Sequence, residues 1–192
     1  MKVGLFFGSF NPVHIGHMAI ANYLIEFSDL EQIWFVVSPH NPLKEKKTLL
    51  ADHHRLQLVK EAIGDDKRFK ASDIEFKLSQ PSYTIHTLTY LKEKYPDKQF
   101  VLIIGSDNLP TFHKWKNYQE IIKEYPLYVY PRLGSAPVSS SSVEKAITRL
   151  NAPVMEVSST FIREAIRDKK DMRHFLPEAV YNYIREMHFY KK

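Results

Sequence analysis

Two histidines, His14 and His17, follow a glycine–serine pair, Gly8 and Ser9, near the start of the chain. On a helix, residues three apart share one face, so both imidazoles would point the same way. The free N–H groups and positive dipole end of that helix favour a phosphate. Nucleotidyl transfer needs mainly positioning and donors aimed at oxygens that gain charge, and paired histidines supply such donors. We predict a phosphate site here, with Gly8 and Gly16 leaving room for close approach.

A zinc site is the alternative use of this histidine pair. It is disfavoured, because the usual zinc-protease helix spaces its histidines four apart with a glutamate between them. A single helical histidine would more often be packed or solvated. The whole string from Gly8 to His17, placed between a strand and a helix, is far more specific.

A second group of phosphate-binding residue types lies near the C-terminus, from Ser158 to Arg163. Ser158 is suited to cap a helix, where hydroxyls and free N–H groups gather. The Arg163 guanidinium, one turn later, can clamp a triphosphate. Alone, this string would be an ordinary cap followed by a surface arginine. Together with the histidine pair, we interpret it as a second phosphate-binding segment.

These residues need a scaffold that brings several strand ends together. Strands are predicted at 2–7, 32–37, 68–74, 100–104, 127–130 and 153–157. Helices are predicted at 14–27, from the Asp52 cap through 63, from a cap at Ser82 or Thr84 to 94, at 118–123, after Ser141 and twice at the end. Asp52, and either Ser82 or Thr84, are predicted to cap their helices, and 131–142 is predicted as a loop. Alternating strands and helices predict an α/β fold with a doubly wound, mostly parallel sheet.

Ligands in such sheets bind beyond the carboxyl ends of the strands, where the strand order reverses. Three strand ends therefore draw attention: 8–9, 105–107 and 157–158. At the middle one, the Asp107 carboxylate either accepts from ribose hydroxyls, as acids do in dinucleotide folds, or caps a turn. Residue spacing leaves both readings open.

Composition limits the classes to which the protein can belong. With 192 residues, 44% of them hydrophobic, the chain can bury one core, so we predict a single domain, 1–192, with a C-terminal helical part, 158–192, packed on it. The absence of cysteine excludes disulfides and zinc–thiolate sites. No apolar run resembles a signal peptide or approaches the ~20 residues of a membrane span, so we expect a cytoplasmic protein without membrane contact.

The net charge of +5 suits either a nucleic-acid surface or a site for small polyanions. The densest basic runs, at 44–47 and 167–170, carry acidic residues within them, and no long basic stripe forms. We therefore expect no nucleic-acid partner.

Together these motifs resemble the nucleotidylyltransferase superfamily, through its paired-histidine motif at 14–17 and its Ser-Ser-Thr-x-x-Arg motif at 158–163. Within it, the chain is similar almost end to end to the bacterial nicotinate-nucleotide adenylyltransferases, a family of NAD synthesis. The segments that carry this finer similarity are 8–18, 81–88, 104–109, 111–115 and 176–184.

The resemblance implies that ATP and nicotinate mononucleotide give nicotinate adenine dinucleotide and pyrophosphate, by direct attack of the substrate phosphate on the α-phosphorus. It implies that the catalytic residues are His14, His17 and Arg163. The implied ATP-binding residues are Gly8, Ser9, Phe10, His14, Gly16, His17, Gly105, Ser106, Asp107, Ser158, Ser159, Thr160 and Arg163. The implied acceptor-binding residues are Lys44, Tyr83, Thr84, Trp115 and Lys116. Magnesium would be bound mainly through the ATP phosphates, with no metal site on the protein.

Chemistry supports a role for Trp115, because an indole face attracts a flat pyridinium cation. The alternative is a core tryptophan, which its polar neighbours Lys114, Lys116 and Asn117 make less favourable. A carboxylate on the pyridinium ring requires hydrogen-bond donors, which Thr84 and nearby backbone N–H groups can supply.

Two positions and one segment depart from the family pattern. Asn11 stands where an aspartate is commoner, and Lys116 where an aromatic residue is often found. The segment 39–44 differs from the usual Pro-Pro-His-Lys string, which leaves the roles of His40 and Lys44 open.

Rival functions remain at this stage. Other nucleotidyltransferases, with nicotinamide mononucleotide or phosphopantetheine as acceptor, or cytidylyltransferases, share the first motif. Class I aminoacyl-tRNA synthetases carry the string of 14–17, but this chain has no Lys-Met-Ser-Lys-Ser loop. A non-catalytic nucleotide- or RNA-binding protein would bind without releasing pyrophosphate. Homo-oligomerisation is left open.

Overall fold

The computed structural model describes residues 1–39, 49–134 and 141–191, except for the side chain of Ser141. In these residues, parallel strands form a six-stranded sheet of order β3-β2-β1-β4-β5-β6. The strands are β1 (Lys2–Gly8), β2 (Gln32–Val37), β3 (Phe69–Ser72), β4 (Gln99–Gly105), β5 (Leu127–Tyr130) and β6 (Ile147–Arg149). The predicted doubly wound fold is confirmed. Because the order reverses between β1 and β4, the carboxyl ends of these two strands flank the expected ligand crevice.

Helices cover both faces of the sheet. They are α1 (Ile15–Phe27), α2 (Asp52–Ile63), α3 (Thr84–Lys94), α4 (Tyr118–Glu124), α5 (Ser141–Ala146), α6 (Ser159–Arg167) and α7 (Glu178–Glu186), with 3₁₀ helices at Ile74–Lys77, Ser106–Lys114 and Arg173–Phe175. One core contains buried residues of α1, α2, α6 and α7, and the other contains residues of α3, α4 and α5. Successive strand side chains alternate between them: Ile33 of β2 lies in the first core and Trp34 in the second.

The predicted last strand, 153–157, was wrong. The sixth strand is β6, which pairs with β5 through Tyr128 and Thr148 and occupies part of the region predicted to be helical after Ser141. Residues 153–157 have no regular structure. Pro153 lacks an N–H group for a ladder, and Met155 and Val157 instead line the cleft beside His14.

The predicted caps were also wrong, because the N-cap positions of α2 and α3 are occupied by Ala51 and Tyr83. Asp52 is the first residue of α2, and its carboxylate accepts a bond of 2.5 Å from Arg55. Thr84 likewise begins α3, and the Ser82 hydroxyl donates to Glu75 at 3.3 Å.

The remaining element predictions differ in extent. The strand predicted at 68–74 is shorter, and a 3₁₀ helix takes over at Ile74. Of the predicted loop, 131–142, residues 135–140 lie outside the described part of the chain, and α5 begins at Ser141. Across the residues described, no helix is both long and apolar enough to cross a bilayer.

Candidate active site

His14 and His17 lie side by side at the start of α1, as predicted. Their ring centroids are 3.7 Å apart, with 32° between the ring planes. The His14 N–H donates to Nδ1 of His17 at 3.2 Å, and the His14 carbonyl accepts from the His17 N–H at 3.0 Å. Because Nδ1 of His17 is an acceptor, the proton of the neutral ring lies on Nε2.

His14 is buried and lines a cleft together with His17 and Arg132. Only 3% of His14 is exposed. Burial, and secondly the charge of Arg132, lower the pKa of His14 to about 4. Within the described residues its Nδ1 atom has no hydrogen-bond partner.

The glycines of this turn make room for side chains of the protein. A Cβ at Gly16 would lie 3.0 Å from Nδ1 of His14, so the glycine is needed to seat that ring. A Cβ at Gly8 would lie 2.9 Å from the ring of Phe10. Phe10, which the resemblance placed among the ATP-binding residues, is 2% exposed and packs on Phe35 with ring centroids 5.5 Å apart. Its side chain therefore belongs to the core beneath the turn.

The second phosphate motif meets the first through bonds from α6 to the turn that precedes α1. The Ser159 hydroxyl donates to the Pro12 carbonyl at 2.8 Å. The Arg163 guanidinium donates to the Asn11 carbonyl at 2.8 Å and to the Thr160 hydroxyl at 3.2 Å. Segments about 150 residues apart in the sequence, as in the Asn11–Arg163 bond, thus form one surface.

Ser158 has the cap role that the sequence also allowed. Its hydroxyl accepts from the Phe161 N–H at 3.1 Å and so satisfies one free donor of α6. Ser158 and Thr160 are exposed at the start of this helix.

The middle strand end, 105–107, lies beside the same cleft. The Ser106 hydroxyl accepts from the Arg132 N–H at 2.8 Å, and the Asp107 carboxylate is 3.8 Å from Nε of Arg132. A Cβ at Gly105 would overlap the Asp107 carboxylate, so the glycine lets this acid fold back over the end of β4. Asp107 lies in the first turn of the 3₁₀ helix Ser106–Lys114.

Part of the implied acceptor group is also brought together. The Lys116 ammonium lies 4.4 Å from the centre of the Tyr83 ring. Trp115 is half-buried and stacks on Phe112 with ring centroids 4.9 Å apart. The indole is therefore neither a fully buried core residue nor a fully exposed one. Thr84 is the first residue of α3, directly after Tyr83.

The sequence reasoning missed three charged residues. Arg132 follows β5, a strand end next to β4, so the rule that directed attention to the other strand ends would have found it. Arg55 and Glu75 are buried charges, and no local pattern distinguishes them from surface residues. His40 and Lys44 lie outside the described residues.

A search of the described residues finds no group of three histidine, cysteine, aspartate or glutamate side chains that could hold a metal ion. A hard cation that binds here would therefore take most of its ligands from a polyphosphate and water, which is the usual behaviour of magnesium.

Comparison with known proteins adds to this geometry. A model of the cytidylyltransferase-like family matches residues 5–165. A probable nicotinate-nucleotide adenylyltransferase of Flavobacterium johnsoniae is 54% identical over the whole of both chains. The chain belongs to the nicotinate-nucleotide adenylyltransferase family. A second relative with that name, from Bacteroides thetaiotaomicron, is 50% identical. The match spans 97% of this chain and 92% of the relative.

Solved structures share the fold of this adenylyltransferase. The Plasmodium falciparum nicotinic acid mononucleotide adenylyltransferase complexed with NaAD matches with a TM-score of 0.80 at 19% identity, over 98% of this chain and 97% of the other. Family membership confirms the resemblance inferred from the motifs and identifies the protein as a nucleotidyltransferase enzyme of NAD biosynthesis.

Proposed function

We propose that this adenylyltransferase transfers the adenylyl group of ATP to nicotinate mononucleotide. The observation that carries the proposal is the pair of His14 and His17 at the start of α1, whose rings lie 3.7 Å apart and which both line the cleft. The full-length relatives support nicotinate mononucleotide as the acceptor.

The reaction forms one P–O bond and breaks another. A phosphate oxygen of nicotinate mononucleotide attacks the α-phosphorus of ATP, the bond from this phosphorus to the bridging oxygen breaks, and pyrophosphate leaves. The protein then needs only to position both substrates and to stabilise the negative charge on the oxygens. His17, with its proton on Nε2, can donate to these oxygens, and His14 remains neutral at neutral pH because its pKa is lowered to about 4.

Ser159, Thr160 and Arg163 are proposed to grip the β- and γ-phosphates. A guanidinium carries five N–H groups, and Arg163 uses two of them to anchor itself to Asn11 and Thr160. An arginine held in this way presents its remaining donors in a fixed orientation, which favours bidentate binding of phosphate. Arg132, whose charge already acts on His14, adds a second cation to the cleft.

The remaining implied residues are assigned to the two organic groups of the substrates. Gly105, Ser106 and Asp107 are proposed to contact adenosine. Tyr83, Thr84, Trp115 and Lys116, with Lys44, are proposed to contact the acceptor. A half-buried indole suits a pyridinium ring, and the Lys116 ammonium over Tyr83 provides a positive charge for the ring carboxylate.

Magnesium is proposed to act through the substrate. When bound to the triphosphate it neutralises part of its charge. Because no metal-binding group is found among the described side chains, removal of magnesium by a chelator should abolish turnover while leaving the protein folded.

The deciding experiment measures pyrophosphate release from ATP and magnesium with four acceptors: nicotinate mononucleotide, nicotinamide mononucleotide, phosphopantetheine and glycerol phosphate. We expect strong release with nicotinate mononucleotide alone. Equal kcat/KM with the nicotinamide substrate would refute the role of Thr84 and Lys116 in recognising the carboxylate. Release with a different acceptor would retain the phosphate site and refute the acceptor assignment. Binding of ATP without release from any acceptor would favour a non-catalytic nucleotide-binding protein.

A further inference from the structure

The segment after α7 turns back towards the phosphate site. Met187 to Lys191 follow the last helical residue, Glu186, and two of them have a left-handed backbone, His188 with φ 54° and Tyr190 with φ 62°. Non-glycine residues are uncommon in this conformation, and tertiary contacts must hold them there. Phe189 supplies such contacts, since its ring packs against His54 at 4.8 Å between centroids.

The contact that ends this segment is a hydrogen bond to the turn before α1. The Tyr190 hydroxyl donates to Oδ1 of Asn11 at 2.9 Å. Asn11 is 2% exposed, and the same oxygen accepts from the Leu50 N–H at 3.3 Å. The Asn11 side chain is therefore held from two sides, by the C-terminal segment and by the residues that lead into α2.

The main chain of Asn11 carries the third bond of this junction. Its carbonyl accepts from the Arg163 guanidinium at 2.8 Å. Asn11 thus lies between Tyr190 on one side and Arg163, proposed to grip the triphosphate, on the other. Because both bonds involve one buried residue, a displacement of Asn11 as a whole would also move the carbonyl that anchors Arg163.

The surroundings keep the Tyr190 hydroxyl a donor. Burial raises its pKa well above the ordinary value for tyrosine, and this outweighs the opposite effect of the positive charges of Arg163 and Arg55. The phenol therefore stays protonated at neutral pH, and the bond to Asn11 does not depend on pH there.

We infer that Tyr190 is a positioning residue for the ATP site, which orients Arg163 through Asn11 and makes the C-terminal segment part of that site. The inference rests on the proposed function in one respect, namely that Arg163 binds ATP phosphates.

The experiment separates the hydroxyl of Tyr190 from the packing of its ring. Tyr190→Phe keeps the ring and removes only the donor. Tyr183→Phe is the matched control, because its hydroxyl pairs with Nδ1 of His54 at 3.1 Å, near the same segment but away from the turn. The affinity of each variant for ATP with magnesium is measured by titration calorimetry, and KM for the acceptor is measured in parallel.

We expect Tyr190→Phe to raise the Kd for ATP about three- to tenfold, the typical effect of one buried hydrogen bond. Tyr183→Phe should leave this Kd unchanged, and neither variant should change KM for the acceptor. An unchanged Kd for Tyr190→Phe, or an equal rise in both variants, would overturn the inference.

A double-mutant cycle tests the route through Asn11. In an Asn11→Ala background, Tyr190→Phe should no longer change the Kd for ATP, because the acceptor of its bond is already gone. Additive effects of the two changes would show that Tyr190 acts by another route and would overturn the inference.

Failure of the proposed function gives a different result. A wild-type protein that binds ATP but releases no pyrophosphate with nicotinate mononucleotide would refute the acceptor, and the comparison of the two phenylalanine variants would still decide the role of Tyr190. A wild-type protein that does not bind ATP would refute both.

Discussion

At the scale of single residues, the two histidines of the cleft differ in environment although they belong to one motif. His14 is 3% exposed, whereas His17 is only partly buried and donates its main-chain N–H to the His14 carbonyl. Burial explains why His14 is held neutral. We therefore assign His17 the larger share of hydrogen-bond donation to the reacting phosphates, and His14 a role in shaping the cleft.

Replacement of His17 by alanine should lower kcat by roughly 10² to 10³, the usual loss for one donor to a transition state. The circular dichroism spectrum should not change, because His17 is not part of the buried core. His174→Ala, at an exposed histidine of the C-terminal part, is the control and should keep full activity. Near-normal turnover of the His17 variant would remove this residue from the mechanism.

The lowered pKa of His14 predicts a pH-dependent stability. Between pH 6.5 and about 4 the unfolded His14 binds a proton while the folded one does not, so the free energy of unfolding falls as the pH is lowered through this range. The loss from this group should be on the order of 3 kcal/mol.

Urea unfolding of wild type and His14→Gln across that range checks this prediction. Contributions of all other groups cancel in the comparison, so the stability difference between the two proteins should shift in favour of the variant as the pH falls. A difference that stays constant with pH would show that the His14 pKa is not depressed in the folded protein.

At the scale of secondary-structure elements, the buried Arg55 of α2 joins three segments near the cleft. Its side chain is fully buried, and its guanidinium donates five hydrogen bonds. They donate to the carbonyls of Ser9 after β1, of Ser38 and Pro39 after β2 and of Leu50 before α2, and to the Asp52 carboxylate. One guanidinium thus sets the relative positions of two strand ends and a helix start, which the sheet alone does not determine.

Arg55→Lys should destabilise the protein by about 3 kcal/mol, because an ammonium with three donors leaves buried carbonyls without partners. Arg68→Lys, at an arginine that pairs with Asp66 and Glu26 on the surface, is the control and should change the unfolding midpoint far less. Equal shifts in the two variants would contradict the role assigned to Arg55.

A second buried charge connects α3 to the 3₁₀ helix Ile74–Lys77. Burial raises the pKa of Glu75, and its carboxylate accepts from the Thr87 hydroxyl at 2.8 Å and from the Ser82 hydroxyl at 3.3 Å. These bonds fold the segment that precedes Tyr83 and Thr84.

Thr87→Val keeps the side-chain shape and removes one donor to Glu75, so the free energy of unfolding should fall by about 1–2 kcal/mol. Thr89→Val is the matched control on the same helix, since its exposed hydroxyl donates to the Ile85 carbonyl of its own helix. The two values are compared by urea unfolding. A loss as large for Thr89→Val would assign the effect to α3 itself and not to Glu75.

At the scale of the whole molecule, the sheet separates two cores, and the C-terminal helices belong to one of them. Ile162 of α6 and Ile184 of α7 are buried with Leu24 of α1 and Leu58 of α2. Apolar burial shared between the two ends of the chain stabilises both together. We therefore propose that residues 158–192 fold with the rest as one unit.

Cooperative unfolding tests this proposal. Both tryptophans of the chain, Trp34 and Trp115, lie in or against the core that faces α3 and α4, on the other side of the sheet from α6 and α7. Tryptophan fluorescence and far-ultraviolet circular dichroism should give superimposable urea transitions if the molecule is one unit. An earlier loss of helical signal at constant fluorescence would show that the C-terminal part unfolds separately.

The sequence by itself determined what depends on neighbours along the chain. The bounds predicted for β2 and β5 and the end predicted for α2 match the structure, and the two phosphate motifs were recognised. Residue type, periodicity and local turn preference suffice for such features, because the interactions that produce them span a few residues. The strand order was expected only in general terms.

Tertiary structure alone decided the features that depend on distant partners. It replaced the strand predicted at 153–157 by β6, and it placed the Arg55 guanidinium against the carbonyls of Ser9 and Ser38, which lie 46 and 17 positions away in the chain. It also brought Tyr190 to Asn11, 179 positions away in the chain. No local pattern encodes these contacts, because the free energy of a buried polar group is set by whichever donor or acceptor the fold places beside it.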